Sequence, residues 1–365
     1  STTGWLVRSL SSRLAIPAAA DSLRWGWIAP EFFSVTNSEL PFSQNDGALW
    51  AGRGFSARVR AGVAGSFGRL RVVLAPEWAT ANNKKFVDVD VAGEHWNRPA
   101  YDPTRTSEFA APWLQHPVSA DVPIRHGREH YEPTGLGQSS VWFDGGVVAA
   151  GVSTENLWWG PGIRDALIMT NNAGGIPHAF VRTGRPLRTP LGDVEGRLIV
   201  GTLSESDYFD FDPSNDTRSL SAFAATLRPR WVPDLTVGIA RAVWAPTDDA
   251  FGALGHLFDA FGTFDRPASR PDTDSTFTYG RDQLTSVFAR YVFPSVGWEV
   301  YAEAGRAERP ASLRDFLVDP GHTLGYVAGV QHARAVAGGG LLREQAEVTQ
   351  LEQTTSYRYR PTASW

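Results

Sequence analysis

Apolar side chains recur at every second residue over most of this chain, and a period of two constrains it to extended strands rather than helices. From Gly54 to Ala64, Phe55, Ala57, Val59, Ala61 and Val63 alternate with Ser56, Arg58, Arg60 and Gly62. Gly65-Ser66-Phe67-Gly68 reads as a turn, and Leu70, Val72 and Leu74 then alternate with Arg69 and Arg71, which makes a β-hairpin. A second hairpin spans Gln283–Arg306, turning at Pro294-Ser295-Val296-Gly297. Its strands place Thr285, Val287, Ala289, Tyr291 and Phe293 on one face, and Trp298, Val300, Ala302 and Ala304 opposite Glu299, Tyr301 and Glu303. A third runs from Thr323–Val330 through Gly338-Gly339-Gly340 into Leu342–Leu351. A fourth joins Ser221–Arg230 to Leu235–Val243 across Trp231-Val232-Pro233-Asp234. Val141–Val152 and both sides of Pro190–Gly192 carry further strands.

The composition of the two faces bears on whether the strands form a barrel or a sandwich. No stretch approaches the roughly 20 apolar residues of a spanning helix, which excludes a helical membrane protein. Only 20% of residues are charged, while there are 14 Trp, 20 Phe and 9 Tyr, an unusual balance for a water-soluble α/β enzyme. The apolar faces mix small residues with aromatics, and the opposite faces carry Arg, Glu and Gln together. That suits a barrel with lipid outside and a polar lumen inside. Trp50, Trp78, Tyr131, Trp142, Trp231, Trp244, Tyr291, Phe293 and Trp298 mark strand ends and suit interfacial girdles. Periodicity by itself accommodates an ordinary β core closed by aromatics equally well.

Helical signals are few. Ser9–Ala20 suits a short helix, and Asp248–Phe261 has apolar spacing near 3.6 with Asp248 or Thr247 as N-cap. Arg266–Ser275 is an exposed Pro- and Asp-rich loop by composition, and Asp90–Val118 is long enough to be a functional loop or plug.

Most catalytic chemistries find no support. With no cysteine there is no disulfide framework, zinc finger or thiol nucleophile. His126-Gly127-Arg128-Glu129-His130 spells an inverted zinc-peptidase pattern, but that chemistry needs both His on one helix face, and Pro123, Gly127 and Pro133 break any helix there. Glu129, Asp144 and Glu155 lie near aromatics, yet no spacing selects a pair for glycoside hydrolysis. Gly135–Ser140 lacks the Lys of a phosphate loop. The net charge of −5, with basic residues scattered singly, gives no nucleic-acid stripe.

The densest unusual stretch is Ser153–Gly162, with adjacent Trp158 and Trp159 followed by Gly160-Pro161-Gly162, continuing to Thr170–His178. The paired indoles, a forced turn and the Asn171-Asn172 amides suit an inward segment that stacks on sugar rings or plugs a channel. Glu155–Gly162 and Asn171–His178 resemble the signature of the Wzi family of capsule-assembly outer-membrane proteins. Asn37–Gly54, Pro76-Glu77, Gly137-Gln138-Ser139, Gly192 with Glu195, Gly201–Ser206, Gly325-Tyr326 and Glu347–Leu351 fit the same pattern in the same order.

The resemblance implies an all-β fold, a large antiparallel up-and-down transmembrane barrel with loop or plug insertions and few helices. It implies a non-catalytic, cofactor-free, lectin-like protein of the bacterial outer membrane, monomeric, holding capsular or other exopolysaccharide at the cell surface. Such a chain would derive from a secreted precursor whose signal peptide is not in this sequence. The alternatives are an outer-membrane porin and a soluble β-rich glycan-processing enzyme. Residues 1–20 are expected to form an N-terminal segment, helical in Ser9–Ala20, and residues 21–365 the barrel. The family continues for several strands beyond the Glu347–Leu351 pattern, so the barrel is expected to lack its last strands. The expected internal plug comprises Glu155, Asn156, Trp158, Trp159, Gly160, Pro161, Gly162, Asn171, Asn172, Pro177 and His178. Polysaccharide contacts are expected from long loops such as Asp90–Val118 and Asp248–Ser275, with Trp96, Arg98, Tyr101 and Trp113 as candidates.

Overall fold

The structure, a computed structural model, describes residues 6–9, 12, 22–84, 130, 132–204, 217–247, 249–262, 282–307 and 324–351. One sheet of 16 strands dominates it. Its first half is built from β2 (Arg24–Asn37), β3 (Gly54–Phe67), β4 (Leu70–Leu74), β5 (Glu77–Ala81), β6 (Thr134–Gly135), β7 (Ser140–Asp144), β8 (Val148–Ser153), β10 (His178–Thr183) and β11 (Leu187–Thr189). The second half runs through β12 (Gly192–Ser204), β13 (Thr217–Pro229), β14 (Leu235–Pro246), β15 (Asp282–Phe293), β16 (Trp298–Ala307), β17 (Leu324–Val336) and β18 (Gly340–Leu351). Two short strands, β1 (Val7–Ser9) and β9 (Leu157–Trp159), pair only with each other.

Every ladder is antiparallel and strands follow one another in chain order, which is the up-and-down topology the family resemblance implied. Three staves are broken in the middle, one of them into β10 and β11, which both pair with β12. β3 pairs with β5 through its first half and with β4 through its second, and β6 and β7 repeat the break alongside. In β2 the register shifts between Ile28 and Glu31, so Pro30 sits at a bulge, where its missing N–H leaves no ladder bond unmade. Among the described residues the sheet does not close on itself, and β2 and β18 are its edges.

Burial is inverted relative to a soluble β protein. In β3 the Phe55, Val59 and Phe67 side chains are exposed, while Ser56 and Ser66 are buried on the other face. In β15 and β16, Val287, Phe293, Trp298 and Val300 are exposed, while Ser286, Glu299, Tyr301 and Glu303 are buried. Apolar residues therefore face outward and polar ones inward, the arrangement of a barrel wall rather than a water-facing sheet.

The tight turns that reverse the chain all lie at one end of the strands, and the strand ends that flank the long connections lie at the other. The tight turns are Gly68-Arg69, 145–147, 190–191, 230–234, 294–297 and 337–339. The first hairpin is longer than expected: Gly65 and Ser66 stay in the strand, Ser66 pairs with Arg71, and Gly68 at φ +54° makes the turn. At this short-turn rim Trp25, Phe67, Phe143, Trp231, Phe293 and Trp298 point outward and exposed, as an aromatic girdle does. Three tryptophans expected in girdles are elsewhere. Trp142 packs inward against both core clusters, Trp244 shares the inward row of Leu220, and Trp50 lies in the β2–β3 loop. An indole near a strand end satisfies either face, and only register decides which.

Two helical expectations also change. Ser9 ends a strand, and the rest of Ser9–Ala20 lies outside the described residues apart from Ser12. The second signal forms helix α1 (Ala250–Leu254) and a 3-10 turn at Asp259–Phe261, but its N-cap is Asp249, whose carboxylate accepts from the Gly252 N–H at 2.6 Å.

Candidate functional site

The 24 residues from 154 to 177, joining β8 to β10, descend into the lumen from the long-loop rim. There β9 pairs with β1, the first described strand: Val7 lies opposite Trp159 and Ser9 opposite Leu157. Trp159 is fully buried, packed with Leu6, Met169, Ile199 and Phe288. Ala222, Ala224, Ala240 and Ala242 on the facing wall leave the room that an indole needs. Trp158 is also buried, and its Nε1–H donates to the Gly162 carbonyl at 3.0 Å. Gly160 holds φ +125°, and a Cβ there would stand 2.7 Å from a Glu303 carboxylate oxygen. A Cβ on Gly162 would stand 2.0 Å from the Asp165 carbonyl. The Gly-Pro-Gly run is therefore required by both backbone conformation and space.

A buried polar layer ties this plug to the wall. Glu155 and Arg197 form an ion pair at 2.7 Å with both side chains 5% exposed. Arg197 also lies 4.5 Å from the Phe180 ring centroid, and its Nη2 donates to His178 Nε2 at 3.2 Å. With Nε2 accepting, the network assigns the proton to Nδ1, which donates to the Ile176 carbonyl at 2.6 Å. Beside it, Gln138 and Asn156 bond reciprocally: Gln138 Nε2 donates to Asn156 Oδ1 at 2.6 Å, and the Asn156 N–H donates to Gln138 Oε1 at 3.0 Å. Asn156 Nδ2 then holds the Ala173 carbonyl at 2.7 Å.

The β2–β3 loop closes over the same segment. Asn45, in the left-handed region at φ 60°, donates from its backbone N–H to Asn172 Oδ1 at 2.7 Å and from Nδ2 to the Arg164 carbonyl at 2.6 Å. Asn171 returns a bond from Nδ2 to the Asn45 carbonyl at 2.7 Å. Arg58 on the wall clamps the loop through the Asp46 carbonyl at 2.6 Å. Two asparagine-rich motifs more than 120 residues apart are thus one contact.

Two wall carboxylates hold the plug from the far side. Glu347 on β18 accepts the backbone N–H groups of Ile163 at 2.7 Å, Arg164 at 3.1 Å and Asp165 at 2.9 Å, and the Tyr301 hydroxyl at 2.6 Å. Glu303 accepts the Leu167 N–H at 3.3 Å. In the sequence Glu303 stands out only as part of a polar strand face and Glu347 as the start of the Glu347–Leu351 stretch; the signal for an anchor is an inward carboxylate at the depth where a barrel must bury it. Charge-assisted bonds of this kind contribute about 1.5–3 kcal/mol. Glu347→Gln turns an amide toward donors and is expected to loosen the plug locally. Limited trypsinolysis in detergent should then cleave after the exposed Arg164 about tenfold faster or more, with the Tm of the barrel little changed.

All eleven expected residues are described: ten of them, from Glu155 to Pro177, lie in the 154–177 segment, and His178 begins β10, where it meets Arg197. Trp158 also lines a cavity of about 550 Å³ together with Arg8, Asn45, Asn171, Arg290 and Arg343. Its chemistry is that of polar recognition: an indole edge, amides and guanidinium groups. Among the described residues no cluster of His, Asp and Glu could hold a metal ion. His130 bonds Thr80 Oγ1 at 2.5 Å and Glu132 at 3.1 Å. His126 and Glu129 lie outside the described residues, as do the sugar-contact candidates Trp96, Arg98, Tyr101 and Trp113.

A family model described as capsule assembly protein Wzi matches residues 35–357 of the chain. A solved structure, described as Wzi, an outer membrane protein involved in group 1 capsule assembly in Escherichia coli and a carbohydrate-binding β-barrel, aligns with a TM-score of 0.49 at 12% identity. The alignment covers 90% of this chain and 56% of that one, so the chain spans little more than half of that protein's length. No curated protein matches.

Proposed function

The chain belongs to the Wzi capsule-assembly family, and from that premise we propose that it sits in a bacterial outer membrane as a plugged barrel and holds capsular polysaccharide at the cell surface without catalysis. The observation that carries the membrane part is the inverted wall, with exposed Val287, Phe293, Trp298 and Val300 backed by buried Glu299, Tyr301 and Glu303. The plug supports attachment over transport: Trp159, Met169 and the Glu155–Arg197 pair fill lumen that a diffusion pore would leave to water. Polysaccharide is held from the long-loop rim by aromatic stacking and hydrogen bonds, with Asp90–Val118 as the proposed contact loop. Outer-membrane lipid surrounds a monomer.

The test compares a gene deletion with the complemented strain. The deletion strain is expected to release polysaccharide into the medium at unchanged total synthesis, and unchanged retention would overturn the attachment role. Fractionation is read in parallel: the native protein should need detergent for release from the outer-membrane fraction.

A further inference from the structure

We infer that residues 249–262 form a lipid-seated foot: the segment leaves the long-loop rim, folds down the outside of the barrel wall, and buries its apolar side chains in the acyl-chain layer of the surrounding leaflet. This goes beyond the plugged-barrel reading, which surrounds the strands with lipid but gives a loop no part in the bilayer, and it rests on that reading.

The side of the wall follows from register. Val72, Val141, Val152, Val200, Ser221 and Val243 form one cross-strand row, outside the lumen. The segment packs on this row and not on the rim. The Ser221 hydroxyl donates to the Leu257 carbonyl at 2.8 Å and accepts the Ala260 N–H at 3.1 Å. Arg241, on the same outer face as the exposed Ile239, is 4% exposed beneath it. The guanidinium donates to the carbonyls of Ala260 at 3.1 Å and Gly262 at 2.9 Å and to Gln283 Oε1 at 2.6 Å. A charge on the outer wall is thereby removed from lipid by the backbone of the segment that covers it.

What the segment turns outward decides the partner. Ala253 and Ala260 face the wall and are buried, whereas Phe251, Leu254, Phe258 and Phe261 are exposed, Phe251 at 83%. Small residues inward with Phe251, Leu254 and Phe258 outward, and Phe261 half-exposed and stacked on the wall's Phe223 at 4.7 Å, is the reverse of a water-exposed loop, and it matches an interfacial amphipathic segment. The patch is continuous with exposed Val141, Val152 and Val181 on the wall. Between α1 and that wall runs an open groove of about 510 Å³, lined by Val72, Leu74, Val152, Val200, Phe251 and Leu254. A groove of that lining that opens onto the acyl-chain layer is filled by an acyl chain.

The absence of cysteine makes the test clean. Single-cysteine variants Phe251→Cys, Phe258→Cys, Val287→Cys and Ser295→Cys carry nitroxide labels in the full chain, reconstituted in phosphatidylethanolamine–phosphatidylglycerol vesicles. Collision rates with oxygen and with a water-soluble nickel chelate are read at each position. Labels at 251 and 258 should favour oxygen over nickel several-fold, like the wall position 287 and unlike the turn position 295. Nickel access at 251 and 258 with position 287 still lipid-like would overturn the foot and leave the barrel reading intact. Nickel access at 287 as well would overturn both. Shielding of 251 and 258 from both reagents would assign the patch to a second copy of the chain and overturn the lipid seat.

Discussion

Arg197→Met is expected to be the most damaging single substitution in the lumen. It removes the cation from a pair in which both partners are 5% exposed and leaves the Glu155 carboxylate buried without its counter-charge. Breaking a buried pair from one side costs about 3–5 kcal/mol, because the remaining charge keeps its desolvation penalty and loses what offset it. Here the loss extends further. Arg197 also supplies the bond to His178 Nε2 and the contact over Phe180, so the first residue of β10 loses its anchor to the plug. The measurement is the urea midpoint of the folded barrel, followed by the heat-modified mobility shift on gels. The double variant Glu155→Leu with Arg197→Met should recover most of the loss, since it removes both charges and keeps the volume filled. If the single and double variants were equally unstable, packing and not the charge pair would be what holds the layer together.

Gly160→Val is expected to open the lumen. The native residue holds φ +125°, a conformation that costs a β-branched residue about 1–3 kcal/mol. Its new Cβ would also fall 2.7 Å from the Glu303 carboxylate, which accepts the Leu167 N–H. Strain and steric conflict therefore act on the same turn, and the two carboxylate anchors cannot both stay in place. In planar bilayers the native protein should be silent and the variant should show salt-dependent conductance steps. A silent Gly160→Val would mean that the Asn45–Asn171 contact and the β1–β9 pairing hold the plug without the turn.

The sheet was legible because its code is local. A period of two assigns each residue to a face, and in β3, β15 and β16 the expected apolar faces are the outward ones. Pro294–Gly297 and Trp231–Asp234 turn where glycine and proline chemistry indicated. The misplacements have a common cause. Trp142 and Trp244 share composition and position with girdle aromatics, but register turns them into the lumen. Asp248–Phe261 was legible as an amphipathic insertion, yet nothing in its spacing indicates that residues 249–262 cover an arginine on the outer wall.

The plug divides in the same way. Trp158-Trp159-Gly160-Pro161-Gly162 declares itself by composition, and Gly160 requires its own conformation whatever surrounds it. Its anchors lie in stretches the sequence marks, but not their pairing with it: Glu347 lies more than 180 residues from the N–H groups it caps, and Asn45 about 126 from Asn171. By itself the sequence determined the strands, their two faces, the turns and the family, because each is encoded within a few residues by alternation, glycine and proline geometry, and an uninterrupted motif. Only the tertiary structure decided which carboxylate meets which backbone, which indoles look inward and where the amphipathic segment lies. Those depend on register and long-range packing, in which every strand's position is set by its neighbours, and no local pattern carries that sum.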